Sequence, residues 1–68
     1  MEIDEIEEFI GEHVKLTVKS VWMGEIYYGY IGDVDGTDII FWDEVEGDEF
    51  RIPYWLIEDI EIIPRKND

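Results

Sequence analysis

The chain has 68 residues, enough for one small domain that buries only roughly 60% of its unfolded surface, so a two-domain enzyme is excluded. With 19 Asp and Glu against 5 Lys and Arg, the net charge is -14 and the isoelectric point about 4.1, which leaves no general basic surface for tracking a phosphate backbone. Hydrophobic residues make up 46% and aromatic residues 15%, well above what an acidic disordered tail carries, and the chain is expected to fold.

Twelve Ile and five Val stand against two Leu, a β-branched excess that favours strands. The start is the exception. Ile3, Ile6, Phe9 and Ile10 recur at helical spacing among Glu2, Asp4, Glu5, Glu7 and Glu8, which predicts a helix over about 2–10, stopped by Gly11 in a left-handed conformation. Asp4 and Glu7 have capping-box spacing, an alternative that shortens the helix to under two turns.

From His13 the period becomes two. Val14, Leu16 and Val18 alternate with Lys15, Thr17 and Lys19, giving a first strand with one buried face. Met23-Gly24-Glu25 reads as the turn after it. A second strand is expected from about Ile26 to Val34, interrupted by Gly29 and Gly32, where a bulge or sharp bend of the kind a small barrel needs is expected. Asp35-Gly36 is a hairpin-type turn, Ile39 to Trp42 a third strand, and Asp43 to Glu49 an acidic connection centred on Gly47. Phe50 to Ile52 begin a fourth strand. Pro53 cannot donate to a ladder, so Pro53-Tyr54-Trp55-Leu56 is read as a short turn, one 3₁₀ turn, before a last strand from Ile57 to Ile63. Pro64 and the polar residues after it form a tail, and residues 1–68 are read as a single domain with its barrel over about 13–63.

There is no cysteine, so neither a disulfide framework nor a thiolate zinc site props up the core. Packing, aided by oligomerisation, must hold it. The acidic start lacks an apolar stretch, and the longest apolar run, Ile39 to Trp42, falls far short of a membrane span. A soluble, cytoplasmic protein with no membrane contact and no cofactor is expected.

One helix followed by five short, bent strands, with a one-turn break before the last, resembles the Sm-like fold, a Src-homology-type small barrel. Tyr28-Gly29-Tyr30-Ile31-Gly32-Asp33-Val34-Asp35 and Ile39-Ile40-Phe41-Trp42-Asp43 are similar to the first Sm motif. Ile52-Pro53-Tyr54 with Ile57, Ile60 and Ile62 is similar to the second. The resemblance implies rings formed by pairing between the fourth and fifth strands of neighbouring subunits. It also implies an RNA site at the turn after strand two and the segment after strand four. Asp35, Asp38 and Arg51 occupy or adjoin those positions here. The residues depart from the family pattern: Asp38 stands near an expected Asn, and Pro53-Tyr54 stands where the family carries Arg-Gly. An acid facing RNA repels its backbone.

Catalysis has little to stand on, because His13 is the one histidine and a lone imidazole on the outward face of a strand is ordinarily a surface residue. Asp33, Asp35, Thr37 and Glu44 fall at the first, third, fifth and twelfth positions of a calcium-loop template, but Asp38 occupies the sixth, where the loop requires glycine. A turn rich in Asp for its own hydrogen bonding accounts for the segment, and no metal site is assigned. Among the aromatics, Phe9, Tyr27 and Phe50 fall in phase with the core, and Trp22 is long enough to cap a barrel end. Tyr28 and Tyr30 share the opposite face of the second strand, while Tyr54 and Trp55 lie in the turn near the barrel mouth. Two readings stand for these four: a partner-binding surface, or staples for a small core. His13, Lys15, Thr17 and Lys19 project together, either as an anion-facing strip or as cross-strand partners of the many acids. The acidic runs Glu2 to Glu12 and Asp43 to Glu49 read as solvated faces. They also suit an imitation of the nucleic-acid phosphate array, and in composition alone the chain is similar to short acidic inhibitors of phages and archaeal viruses.

The sequence therefore points to a mainly β small barrel with an N-terminal helix. Its leading functional reading is a non-catalytic module that self-associates into a homo-oligomer, a ring in the Sm-like case, and binds a protein partner through Tyr28, Tyr30, Tyr54 and Trp55. RNA binding at Asp35, Asp38 and Arg51 and nucleic-acid mimicry are its alternatives.

Overall fold

The first element, α1 (Ile3–Glu7), is shorter than the spacing of its apolar residues predicts. Its box closes at Glu2 and Glu5 rather than at Asp4 and Glu7: the Glu2 amide donates to Glu5 Oε1 at 3.0 Å. After it the chain is drawn onto the sheet. The Gly11 amide donates to the Ile31 carbonyl at 2.9 Å, and Ile10 bridges Ile31 in parallel. A helix continued to Ile10 would forfeit both contacts. Gly11 takes the left-handed conformation expected of it, with φ 86°.

A computed structural model describes residues 1–19 and 25–64. Trp22, most of the expected turn at Met23-Gly24, and the tail beyond Pro64 lie outside the described residues. The strands are β1 (His13–Val18), β2 (Glu25–Asp35), β3 (Asp38–Asp43), β4 (Asp48–Pro53) and β5 (Ile57–Ile62), with the expected 3₁₀ turn over Tyr54–Leu56 between the last two. They form one antiparallel sheet in the order β4-β3-β2-β1-β5. The fold is mainly β, and the sheet does not close, since no pairing joins β4 to β5 among the described residues.

The glycines of β2 bend it by different means. Gly32 is the bulge: the register with β3 shifts between Ile31 and Asp33. Gly29 lies opposite Asp43 and lets the backbones close in, because a Cβ there would sit 1.8 Å from the Trp42 carbonyl oxygen. Asp35 and Asp38 pair across a two-residue turn in which Gly36 has φ 67° and Thr37 has negative φ, the pattern of a type II′ hairpin.

Alternation sorts side chains to two faces. The inner face and the helix bury Ile6, Val14, Leu16, Val18, Ile31, Ile39, Phe41, Ile52, Ile57 and Ile60. Tyr27, Phe50 and Phe9 pack against this core as their phase predicts, and Tyr27, Phe41 and Phe50 form a ring cluster with centroids 5.2–6.4 Å apart. Ile10, expected with them, is 39% exposed, at the point where its backbone bridges Ile31.

The hydrogen-bonding phase decides what the two edges offer. The Ile63 amide donates to the His13 carbonyl at 2.9 Å, so the pairs Val14/Ile62 and Leu16/Ile60 are of the non-bonded kind, and the amides of Ile60 and Ile62 point out along the free edge of β5. The Tyr54 amide donates to the Thr37 carbonyl at 2.9 Å, which by the same alternation turns the amides of Glu49 and Arg51 outward. Pro53 sits opposite Asp38 at the next outward position, so its missing N–H costs the sheet no rung.

Candidate functional site

The side chains singled out by sequence fall into three places. At the rim, the Tyr54 and Trp55 rings meet edge to face at 5.5 Å. Tyr54 leans on the core and Trp55 is exposed. The Tyr54–Thr37 bond ties this 3₁₀ turn to the β2–β3 hairpin, where Asp35 and Asp38 converge on Arg51. Arg51 Nη1 donates to Asp35 Oδ2 at 2.9 Å and lies 3.7 Å from Asp38 Oδ2. The hydrogen bond to Asp35, then its charge, holds the guanidinium more firmly protonated than usual. The structure thus brings the three expected RNA-contact positions together, but as a closed cluster with two acids to one base, which offers a phosphate no free cation.

The second place is the outer face of the sheet. Tyr30 stands opposite both His13 and Trp42, Tyr28 opposite Lys15, and Trp42 opposite Glu49. Tyr28 and Tyr30 do share a face, as alternation predicts, but that face is separate from the rim. Trp42 is four residues along β3 from Asp38, about 13 Å of strand rise. His13 is less of a surface residue than its outward phase suggests. Its side chain is 14% exposed, its ring lies 5.1 Å from that of Tyr30, and Nε2 bonds Glu44. This contact joins β1 to the turn after β3. Lys15 and Thr17 face Glu61 and Asp59 across β1–β5, the cross-strand arrangement weighed for that row of side chains.

The third place is the β3–β4 turn, where Asp43 departs from its reading as part of a solvated acidic face. It is 4% exposed, and its Oδ1 accepts the amides of Val45 at 2.9 Å and Glu46 at 3.4 Å, while its carbonyl accepts that of Gly47 at 2.8 Å. The carboxylate is buried because it organises the turn. Asp43→Ala is expected to lower stability by about 1–3 kcal/mol, by leaving those amides without their acceptor. Asp43→Asn, which keeps an acceptor oxygen, is expected to lose less. Urea titration followed by circular dichroism ranks the two.

The acids of the calcium-loop template are dispersed. Asp33 Oδ1 accepts the amide of Val34 at 2.8 Å, Asp35 holds Arg51, and Glu44 holds His13. Among the described residues no group of three His, Asp or Glu side chains is placed to hold a metal ion, and no helix is long and apolar enough to cross a membrane. The residue most easily overlooked in sequence is Trp42. With Ile39 and Phe41 inward, alternation sends Ile40 and Trp42 outward, and Trp42 is the largest side chain exposed on that face. No protein-family model matches the chain, and no curated protein matches it.

Proposed function

We propose that this chain is a non-catalytic binding and assembly module of the cytoplasm, Sm-like in arrangement. It self-associates by pairing β4 of one copy with β5 of the next, and it engages a protein partner through the aromatic side chains Tyr28, Tyr30, Tyr54 and Trp55, of which Tyr28 and Trp55 are exposed. Head-to-tail pairing of this kind generates rings when its rotation closes.

The observation that carries the reading is Ile62. By register it belongs to the core face, opposite Val14, yet it is 55% exposed because no strand lies beyond β5. Phe50 and Ile52 lie on the same inner face of β4, the opposite edge. The outward amides of Ile60 and Ile62 on one edge and of Glu49 and Arg51 on the other supply donors for a shared ladder, and Pro53 marks its end. Charge works against the pairing. Asp59 and Glu61 of β5 would meet Glu49 as well as Arg51, so association is expected to strengthen as salt screens the acids.

Light scattering after gel filtration tests this. The wild type is expected to form an oligomer whose share grows with salt. Ile62→Pro removes an amide that the protein's own sheet does not use, and Ile62→Lys places a charge on the edge; both are expected to give monomers with unchanged circular dichroism. A wild-type chain that stays monomeric at high salt and high micromolar concentration would sink the assembly reading.

A further inference from the structure

The outer face of β2 and β3 carries exposed apolar side chains of its own, apart from those at the edges. Ile26, Tyr28, Trp42 and Val45 are each at least 40% exposed. The Glu44 amide donates to the Tyr28 carbonyl at 3.0 Å, which draws the β3–β4 turn against the start of β2. A shallow groove lies between them, lined by Ile26, Tyr27, Tyr28, Asp43, Val45 and Glu46. Trp42, one rung further along, is a diagonal neighbour of Tyr28, at about 7–8 Å by the spacing of an antiparallel pair. The face is thus a continuous strip of aromatic and aliphatic surface. Soluble chains rarely leave such a strip uncovered without a use for it.

The charges around this strip say what covers it. Glu49 stands opposite Trp42 and Glu46 forms the lip of the groove. Neither carboxylate has an ion pair among the described residues, whereas Glu44 is held by His13 and Arg51 by Asp35. A second copy of this chain, a nucleic acid or an anionic membrane would each bring more negative charge to a chain already at -14. Lys15 stands opposite Tyr28 and faces Glu61 on its other side, so the acids without an ion pair lie toward Trp42 and the β3–β4 turn, where a cationic side chain with a flat or apolar body fits: its body stacks on Trp42 or Tyr28, and its charge lies over the ring face and against Glu49 or Glu46. Arginine fits better than lysine, because its planar guanidinium stacks and also presents a fork to a carboxylate.

We infer that the outer face of β2 and β3, with Tyr28 and Trp42 as anchors and Glu46 and Glu49 as charge partners, docks an arginine-rich segment of a protein partner. The inference rests on the partner-binding half of the proposed function. It keeps Tyr28, adds Trp42, and leaves the rim aromatics Tyr54 and Trp55 outside the site. It does not depend on assembly, since the face is distinct from both sheet edges.

The test is calorimetric titration of the full chain with a peptide of alternating arginine and glycine, and with the same peptide carrying citrulline, which keeps the shape and removes the charge. Amide shifts are followed in parallel by NMR. The arginine peptide is expected to bind and the citrulline peptide to lose at least tenfold in affinity. Shifts are expected to centre on residues 26–30 and 40–46. Trp42→Ala and Tyr28→Ala are each expected to weaken binding about three- to tenfold, and Glu49→Gln by a similar factor, with circular dichroism unchanged. Glu7→Gln on the helix is expected to leave affinity within twofold. Equal losses from Glu7→Gln and Glu49→Gln, with none from Trp42→Ala, would reduce the binding to diffuse attraction and overturn the inference. Shifts centred on Trp55 would also overturn it, while leaving the proposed function standing with its partner at the rim.

Discussion

Replacing Gly29 with alanine is expected to cost about 3 kcal/mol or more, a large share of the stability of so small a domain. The added Cβ would lie 1.8 Å from the Trp42 carbonyl oxygen, 3.0 Å from the Trp42 carbonyl carbon and 3.2 Å from the Glu44 amide nitrogen. All three are backbone atoms, so no side chain can swing aside, and β2 must part from β3 where the two pair. A domain of 68 residues has roughly 3–10 kcal/mol of stability in total. The contrast with Gly32 makes the expectation specific. A Cβ at Gly32 meets only the Ile40 carbonyl oxygen at 3.6 Å, an ordinary contact, so Gly32→Ala is expected to change stability by less than about 1 kcal/mol, with lower unfolded-state entropy working in its favour. Urea titrations monitored by far-ultraviolet circular dichroism separate the two. Similar midpoints for both variants would mean that the close approach at Gly29 is not what holds β2 and β3 together.

Phe41→Ala is expected to cost about 3–5 kcal/mol, the range for removing a fully buried phenylalanine. Phe41 has no exposed surface and sits between Tyr27, at 6.4 Å, and Phe50, at 5.9 Å. Most of the other buried side chains are aliphatic, so this cluster supplies much of the core's volume. Tyr27 and Phe50 are only partly buried and can slump into the space, which favours the lower end of the range. Phe41→Leu keeps most of the volume and is expected to cost less than about 2 kcal/mol. The near-ultraviolet dichroism of the ring cluster should fall in the alanine variant even where the far-ultraviolet signal survives. An alanine variant as stable as the leucine variant would place the core's centre elsewhere.

Features set by neighbours in the chain were legible in the sequence. The alternation of Val14, Leu16 and Val18 marked β1 and its buried face, Asp35-Gly36 marked the hairpin, and Pro53 marked the 3₁₀ turn at Tyr54–Leu56. Features set by distant residues were not. The helix stops early because Ile31 competes for the backbone of Ile10 and Gly11, a contact no local pattern announces. Asp43 looked like one acid among many until the turn folded over its carboxylate. His13 and Glu44 lie 31 residues apart in sequence, and their pairing follows only from the register of three strands. The proposed site divides the same way. Tyr28 was assigned outward by alternation, and Trp42 could have been, but that they are neighbours flanked by Glu49 depends on pairings between strands.

The place of β1 in the sheet bears on how the chain folds as it is made. β1 lies between β2 and β5, so the first of these five strands in chain order receives its second neighbour from the fifth. Without Ile57–Ile62, the strand that carries Val14, Leu16 and Val18 would have one open edge. Such long-range closure is slow, on milliseconds to seconds rather than microseconds, and the waiting species is of the kind that joins its edges to other nascent chains. The large excess of Asp and Glu works against such association, because like charges on neighbouring chains repel. The same charge that covers the surface of the finished fold thus also opposes pairing at an uncovered β1 edge.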